Sequence, residues 1–297
     1  MKKWLLNLYK KLPLVRDIKA IKTELVRLAS HDRLFTSAAL IQTLEALKAG
    51  NERYRDPKRL LAHGAQYWSQ NYEDGMIAEI FRRIGTTDKT FLEIGVGDGT
   101  ENNTICLLSA GWKGWWIEGD AACCNAISRQ LREMPDTAAR LQVKQAFVEP
   151  DNITGLLAGL GIPQQVDLFS LDIDLNTWHI WAALKSFCPR VVVVEYNAAF
   201  PPEQAWIHPL QAQATWDSTQ AFGASLKAFE LLGARFGYSL VGCDLTGINA
   251  FFVRNDLVEN LFARPFTSEN HYEPPRYYLL HRWAHPAKFF VDHHKEK

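Results

Sequence analysis

The chain has 297 residues, of which 47% are hydrophobic and 22% charged, a composition typical of soluble globular proteins. Its 33 basic and 33 acidic side chains cancel, so there is no overall basic field and we expect no nucleic-acid partner. The five cysteines form no C-x-x-C pair. Their odd number favours free thiols in a cytoplasmic compartment and neither a disulfide framework nor a zinc site.

Residues 1–50 are predicted to form a helical extension, and residues 51–297 the main domain. The first apolar residues share one helical face among lysines, and Pro13 breaks or restarts the helix. They are Trp4, Leu5, Leu8 and Leu12. A basic amphipathic segment of this kind can rest on an anionic membrane surface. We therefore expect peripheral contact with the inner face of the membrane through residues 1–12, as the weaker of the options for this region.

Apolar residues then recur in steps of four and three, which is the spacing of a coiled-coil seam. They are Leu14, Ile18, Ile21, Leu25 and Leu28. The pattern lasts only about two heptads, fewer than a firm coiled-coil assignment needs. Two interpretations stay open: self-association through residues 14–28, or a helix packed on its own domain.

The main domain alternates strand-like and helix-like segments, which predicts a doubly wound α/β fold with a largely parallel sheet. The predicted strands are Thr90–Ile94, Trp115–Glu118, Gln142–Phe147, Val166–Ile173, Arg190–Glu195, Tyr238–Cys243 and Asn249–Arg254. The predicted helices are 74–84, 102–110, 121–132, 153–160, 177–186, 224–236 and 256–262. The fourth and fifth strands are almost wholly apolar, as strands buried on both faces should be. We expect the tail from Arg264 to wrap the surface.

The first predicted strand runs directly into a glycine-rich turn, Glu93-Ile94-Gly95-Val96-Gly97-Asp98-Gly99. Glycines permit a tight turn and let a ligand approach the backbone closely. Dinucleotide-binding folds use a similar turn to hold a pyrophosphate, but with the spacing G-x-G-x-x-G instead of G-x-G-x-G. The turn predicts a ligand site, and a merely tight connection is the alternative.

A second acid follows at the expected distance. Glu118 ends the second predicted strand, about 20 residues after the glycine turn, where an acid can accept hydrogen bonds from both hydroxyls of a ribose. Asp120 is the better candidate for capping the helix that comes next. The two acids therefore predict two separate roles.

Acidic and amide side chains also end the fourth and fifth predicted strands, as Asp172 and Asp174 on one and Glu195 and Asn197 on the other. Residues two apart point to the same side of a strand, so neighbouring strands would bring the four together at the carboxyl edge of the sheet. Such an oxygen cluster suits Mg²⁺ or a similar hard cation. The alternative is that Asp172 contacts a cofactor while Asp174 and Asn197 cap turns.

Histidines and aromatic residues near this edge supply further candidates. His179 and His208 could act as general bases for a hydroxyl proton, although structural roles are the usual ones. The segment from Ala199 to Trp216 is long and irregular, as substrate-binding lids often are. Its neighbourhood contains Trp206, Trp216 and Phe222. These rings predict either a stacking wall for a sugar or a small apolar cluster beneath a loop.

The glycine turn, the acid after strand two and the strand order resemble class I methyltransferases that use S-adenosylmethionine. More closely, the chain resembles FkbM-like and related methyltransferases of bacterial polysaccharide biosynthesis, over roughly residues 65 to 285. The matching stretches are Ser69–Gly75, Gly111–Asp120, Asp167–Asp174, Val194–Asn197, Gly223–Leu226 and Asn249–Arg254. One departure is Asp172-Ile173-Asp174-Leu175-Asn176-Thr177, where relatives often read D-I-D-G-N-D, so a metal ligand beyond Asp174 is in doubt.

The resemblance implies a Rossmann-like, seven-stranded sheet with an antiparallel last strand, and it implies specific cofactor contacts. At the methionine end it places Glu93, Gly95, Gly97, Asp98 and Gly99. It places Glu118 at the ribose and Phe147 near the adenine, and it brings Gln70 and Asp74 to the cofactor from the preceding segment. In all, nine positions would contact one adenosine-bearing molecule.

The resulting expectation is a cytoplasmic O-methyltransferase that acts on a sugar hydroxyl of a glycan or glycosylated precursor, with S-adenosylmethionine as cofactor and Mg²⁺ as a second candidate ligand. Asp172 and Asp174 join His179 and His208 as catalytic candidates. Two alternatives remain. One is an NAD(P)-dependent oxidoreductase with a variant glycine turn. The other is a non-catalytic scaffold that oligomerises through its N-terminal helices.

Overall fold

The computed structural model describes residues 13–212, 216–217 and 219–277. The described residues fall into two compact units, divided between Asn51 and Glu52. The first unit contains one long helix, α1, which spans Pro13–Gly50 and agrees with the predicted helix. The expected membrane contact of residues 1–12 lies outside the described residues, and self-association through residues 14–28 stays a prediction.

Seven strands of the second unit form one sheet among the described residues. They are β1 Thr90–Ile94, β2 Lys113–Glu118, β3 Leu141–Gln145, β4 Leu168–Leu171, β5 Val191–Glu195, β6 Tyr238–Cys243 and β7 Asn249–Arg254. Their spatial order is β3-β2-β1-β4-β5-β7-β6. Strands β1 to β5 are parallel, and β7 is antiparallel to both of its neighbours. The Rossmann-like sheet with an antiparallel last strand is therefore confirmed.

Helices cover both faces of this sheet. They are α2 Glu52–Arg55, α3 Glu73–Ile84, α4 Ile105–Ser109, α5 Ala121–Arg132, α6 Pro135–Ala138, α7 Ile153–Gly159, α8 Thr177–Ala183, α9 Leu226–Arg235, α10 Asn255–Val258 and α11 Ser268–His271. Short 3₁₀ turns span Leu60–His63 and Asp174–Asn176. No helix of the described residues is long and apolar enough to cross a membrane.

At two of the places where the observed elements differ from the predicted ones, a buried carboxylate accepts hydrogen bonds from backbone N–H groups. The helix predicted from Asn102 begins only at Ile105, because the backbone N–H groups of Asn103 and Thr104 donate to Glu93. The fourth strand is shorter than predicted, because Asp167 accepts bonds from the turn before β1. Helices α2, α6 and α11 are too short to show a periodic pattern and were therefore not predicted.

The core forms a layer on each side of the sheet. One layer centres on Trp181 and Phe252, and the other on Trp116 and Phe251, all of them fully buried. The consecutive residues Phe251 and Phe252 of β7 thus pack into opposite layers of the core, because side chains alternate along a strand. The sheet is buried on both faces, so ligand-binding groups are left to the ends of its strands.

The strand order reverses direction between β1 and β4, since β2 and β3 lie on one side of β1 and the later strands lie on the other. Folds of this type bind ligands in the crevice at the carboxyl ends of the strands, at that switch point. Gly95 follows β1 and Asp172 follows β4. The glycine turn and the acidic residues therefore meet at the position where the fold provides a crevice.

Candidate functional site

The glycine turn is pressed against the end of β4. Gly95 has φ +82°, and a Cβ at this position would overlap the carbonyl oxygen of Asp172. Gly97 has φ +56°, and a Cβ there would meet no atom within 4 Å. Residues other than glycine rarely adopt such angles. Gly95 is thus required for the close approach of the two segments, and Gly97 leaves open space above the turn.

Glu93 lies beneath the turn and does not line the crevice. It is 1% exposed, and its carboxylate accepts hydrogen bonds from the backbone of Asn103 and Thr104 and from the side chains of Asn102, Thr104 and Ser170. Burial raises the pKa of this carboxyl, and the bonds to Thr104 and Asn102 lower it. The expected contact of Glu93 with the methionine end of a cofactor is corrected: its role is to fix the segment after the turn.

Glu118 faces the crevice from the end of β2. Its Oε2 accepts from the backbone N–H of Gly97 at 2.8 Å, and its Oε1 accepts from that of Asp120 at 2.8 Å. Each carboxylate oxygen has a second lone pair, so two further donors can be accepted. The acid is thereby held in one orientation beside the glycine turn.

A cavity of about 530 Å³ opens between these groups, large enough for a nucleoside-sized ligand. Its lining includes the two glycines of the turn, the acids that end β2 and β4, and the segment after β3. Phe147 contributes an exposed ring at that third side, next to Gly119. The structure thus brings Gly95, Gly97, Glu118, Phe147 and Asp172 together around one space.

Two other residues of the glycine turn hold local structure, and so does Asp120, which in addition lines the cavity. Asp98 accepts from the backbone and hydroxyl of Thr100, and Gly99 has φ +77° and closes the turn onto Val96. Neither is among the cavity-lining residues, and their assignment as cofactor contacts stays a prediction. Asp120 caps α5 by accepting from the backbone N–H of Cys123, as predicted.

The segment before α3, residues 67–74, is called the latch because hydrogen bonds to Asp74 hold its two ends together. Oδ2 of Asp74 accepts from three successive backbone N–H groups, those of Tyr67, Trp68 and Ser69. The hydroxyl of Ser69 accepts from the backbone N–H of Asp74 in return. Gln70 is exposed, and its amide lies 3.4 Å from Glu101. Oδ1 of Asp74 is buried without a hydrogen-bond partner, and the cofactor contacts of Asp74 and Gln70 stay predictions.

Glu73, next to Asp74, connects the latch to strand β7 of the sheet through hydrogen bonds. Its carboxylate accepts from the side chain of Asn249 and from the backbone of Asn71, both at 2.6 Å. Burial, and then the nearby charge of Asp244, raise the pKa of Glu73 to about 8. The sequence motif at 69–75 thus has a structural explanation, which sequence reasoning missed because the partner Asn249 lies 176 residues away.

Asp172, Asp174 and Glu195 form the acidic group at the ends of β4 and β5. One carboxylate oxygen from each lies within 4.8 Å of the others. Burial, and then the charge of Asp174, raise the pKa of Asp172, and burial followed by the charge of Asp172 raises that of Glu195. No cation forms an ion pair with them among the described residues.

The acidic group can hold a cation. Oε2 of Glu195 is buried without a hydrogen-bond partner, and three carboxylates are the ligands that hard cations prefer. Asn197, the fourth predicted ligand, points elsewhere. Its amide donates to the carbonyls of Gln220 and Phe222 and accepts from the backbone of Ala199. The metal-ligand assignment of Asn197 is corrected, because every polar atom of its side chain holds the following loop.

The two histidine candidates likewise hold the loop, defined here as residues 196–225 between β5 and α9. Nε2 of His179 donates to the carbonyl of His208 at 2.8 Å, and Nδ1 of His208 lies 2.8 Å from the carbonyl of Pro209. Neither is among the cavity-lining residues. Both histidines fasten the loop to α8 or to itself, and their assignment as general bases stays a prediction that the geometry of the cavity does not support.

The loop carries the predicted aromatic residues in two different settings. Trp206 stacks on Phe200 with ring centroids 4.4 Å apart, so one of its faces is covered. Trp216 is exposed and lies 5.6 Å from the ring of Phe222. Asn176 anchors the loop through two bonds with the backbone of Gln211. Of the predicted wall, only Trp216 presents an open ring.

No protein-family model matches the chain, and no curated protein matches it. Solved structures are similar to it at low identity. The glycopeptide N-methyltransferase MtfA complexed with sinefungin is 12% identical, with a TM-score of 0.39 over 64% of this chain and 88% of that chain. Magnesium protoporphyrin IX methyltransferase from Synechocystis PCC 6803, with bound S-adenosylhomocysteine, is 12% identical, with a TM-score of 0.42 over 72% and 99%.

The methyltransferase domain of the bacterial protein CtHen1-C is also similar, at 14% identity and a TM-score of 0.41, over 62% of this chain and 97% of that domain. These likenesses concern the fold alone. The strand order and the antiparallel seventh strand define the Rossmann-like fold without them.

Proposed function

We propose that the chain is an S-adenosylmethionine-dependent methyltransferase. The observation that carries this proposal is the meeting of Gly97 and Glu118 at one cavity, where the carboxylate is fixed by the turn's own N–H group. Glu118 would accept hydrogen bonds from the ribose hydroxyls. Phe147 would cover the adenine. The methionine end would lie over Gly95 and Gly97, toward Asp172.

The residues after the glycine turn favour this cofactor over NAD(P). A dinucleotide would place its pyrophosphate on the free N–H groups at the start of the next helix. Here the corresponding N–H groups of Asn103 and Thr104 already donate to the buried carboxylate of Glu93. A pyrophosphate would have to displace this carboxylate and approach its negative charge. S-adenosylmethionine carries no phosphate and avoids that conflict.

The proposed reaction is methylation of a sugar hydroxyl of a glycan or glycosylated precursor, as in the FkbM-like methyltransferases that the sequence resembles. The cofactor supplies an electrophilic methyl group. The acceptor oxygen forms the new bond to the methyl carbon, the carbon–sulfur bond breaks with its electrons going to sulfur, and the hydroxyl proton passes to a carboxylate. Asp172 lines the cavity and is the candidate for that proton acceptor. The protein's task is to orient the acceptor and exclude water.

Binding measurements on Glu118 test the cofactor assignment. We expect calorimetry to show binding of S-adenosylmethionine and none of NAD, and Glu118→Ala to weaken that binding about tenfold or more through loss of the ribose hydrogen bonds. Glu133→Ala is the matched control, because Glu133 is an exposed acid at the end of α5. Binding of NAD alone, or of neither nucleotide, would contradict the proposal.

We further propose that Asp172, Asp174 and Glu195 hold a hard cation such as Mg²⁺, which would help to lower the pKa of an acceptor hydroxyl. The unpartnered Oε2 of Glu195 supports this. Titration with Mn²⁺, followed by its magnetic resonance signal, should show a bound ion that Asp174→Asn weakens and EDTA removes. If methyl transfer is unchanged in EDTA and no Mn²⁺ binds, the metal site is wrong. Proton transfer would then be the only remaining role proposed for these carboxylates.

A further inference from the structure

Asn249, the first residue of β7, lies directly opposite Glu195, the last residue of β5, in an antiparallel pair. Opposed residues of such a pair carry their side chains on the same face of the sheet, with Cβ atoms about 5 Å apart. Two residues further into the strands, Val193 and Phe251 are opposed in the same way, and both belong to the core layer of Trp116. The side chain of Asn249 is therefore a direct neighbour of the acidic group.

Each of these two neighbouring side chains has one oxygen without a partner. Oε2 of Glu195 and Oδ1 of Asn249 are both buried, and neither accepts a hydrogen bond from any described residue. Asn249 is 3% exposed, so bulk water does not reach its amide. A carboxylate oxygen and an amide oxygen are both acceptors, so they cannot satisfy each other. Because buried polar atoms are nearly always paired, the two oxygens point to a ligand that both can bind.

The orientation of the Asn249 amide is fixed by its other contacts. Its Nδ2 donates to Oε1 of Glu73 at 2.6 Å, and its backbone N–H donates to Asp244. Glu73 is held in turn, because its Oε2 accepts from the backbone N–H of Asn71 at 2.6 Å. Since Nδ2 makes the bond to Glu73, Oδ1 lies on the other side of the amide and stays available.

This arrangement is the one found around a metal ligand and the group that orients it. In metal sites the ligating side chains are usually held by hydrogen bonds to carboxylates or carbonyls behind them. Glu73 has that position behind Asn249, and Asn71 of the latch fixes Glu73. Amide oxygens accompany carboxylates as ligands of hard cations. The buried bond between Glu73 and Asn249 would then orient a ligand as well as join the latch to β7.

We propose, on the basis of the cation site in the proposed function, that Oδ1 of Asn249 is the fourth protein ligand of the cation held by the acidic group. Asn249 thus takes the role predicted for Asn197. A proton shared between Glu195 and Asn249 would satisfy the two unpartnered oxygens. It would still leave Asp172 and Asp174 close together without a counter-charge, and like charges so placed repel. A divalent cation relieves both the unpartnered oxygens and the repulsion.

Mn²⁺ bound to the full chain tests this assignment, because electron–nuclear double resonance detects ¹³C nuclei beside the metal. The chain is prepared with ¹³C in the side-chain carbonyls of its asparagines. We expect a ¹³C coupling in the wild type that Asn249→Ala removes, together with a loss of Mn²⁺ affinity of about tenfold or more. Asn249→Asp keeps an oxygen at this position and should bind Mn²⁺ more tightly than Asn249→Ala.

Asn255→Ala is the matched control, because Asn255 is an exposed amide just beyond the other end of β7, where it accepts from Ser239. This variant should keep both the coupling and the affinity. Bound Mn²⁺ without a ¹³C coupling in the wild type, or a coupling that survives in Asn249→Ala, overturns the role of Asn249 and leaves the three-carboxylate site standing.

The wild-type spectrum decides the matter even if Asn249→Ala does not fold. Absence of bound Mn²⁺ from the wild type overturns the cation site and its fourth ligand together. Calorimetry of the same samples with S-adenosylmethionine judges the methyltransferase assignment separately, since that assignment depends on Glu118 and not on the cation.

Discussion

Around β1 and β2 the carboxylates of Glu118 and of the buried Glu93 are engaged by nearby backbone N–H groups, whereas those at the ends of β4 and β5 face one another. Glu118 is held by Gly97 and Asp120, and Glu93 is held by the segment it precedes. Asp172, Asp174 and Glu195 instead share one small space and have raised pKa values.

The difference indicates two kinds of binding. The half at β1 and β2 is already shaped for its ligand, since its polar groups are oriented before anything binds, and such preorganisation lowers the cost of binding. The half at β4 and β5 carries charge that burial disfavours. A cation, a proton or the hydroxyls of an acceptor would each relieve it. Under the proposed function, proton transfer would take place in this second half.

The largest effect is expected where the two halves touch, at Gly95. Gly95→Ala would force a Cβ into the carbonyl oxygen of Asp172 at a φ of +82°, and we expect a loss of about 3–5 kcal/mol of folding free energy or no folded protein. Urea unfolding measures this. Gly97→Ala is the control, because its Cβ has open space and the strained φ alone should cost about 1 kcal/mol. Equal stabilities of the two variants would show that the halves are not in tight contact.

Sequence reasoning predicted the half at β1 and β2 well, because its signals are local. Strand β1 has the predicted bounds, and Asp120 caps the next helix as predicted. Glu118 lies at the cavity, and its contact with a ribose stays a prediction. Glu93 is the instructive error. Its place in the motif suggested a ligand contact, but alternation along β1 points it to the layer below, where Asn102 and Thr104 meet it.

The half at β4 and β5 was predicted only in part. Its three carboxylates do come together, since neighbouring strand ends share an edge. The partners of Asn197, His179 and Asp74 were not foreseeable, because they are backbone atoms of a loop or turn whose path depends on tertiary packing.

The dependence of folding stability on pH should separate acids whose pKa is raised by burial from acids whose pKa is lowered by an ion pair. We expect this effect to be moderate. The folded-state pKa of Glu73 is raised to about 8 from a usual value of 4.5, so the folded chain holds a proton that the unfolded chain releases. That contribution to stability is fully present below the unfolded pKa and is lost as pH rises through the folded pKa. We therefore expect the urea midpoint to fall between about pH 4.5 and 8.

Two variants identify the source of this pH dependence. Glu73→Gln cannot titrate and should flatten the dependence. Glu79→Gln should keep it, because its bonds to Arg82 hold the pKa of Glu79 to about 2, and its stabilisation is lost only as pH falls toward that value, outside the window. An unchanged slope in Glu73→Gln would assign the dependence to other groups, with Asp172 and Glu195 the next to test.

The smallest effect should distinguish the two neighbouring acids after β2. Asp120 caps α5, so Asp120→Ala is expected to lower the midpoint of thermal unfolding by about 3 °C, with S-adenosylmethionine affinity nearly unchanged. Asp120→Asn, which keeps a capping oxygen, should behave as the wild type. Glu118→Ala should show the reverse pattern, with weakened binding and little change in the midpoint. If both alanine variants lost binding equally, the two acids would act together on the ribose, and the separation between a capping acid and a ligand acid would be wrong.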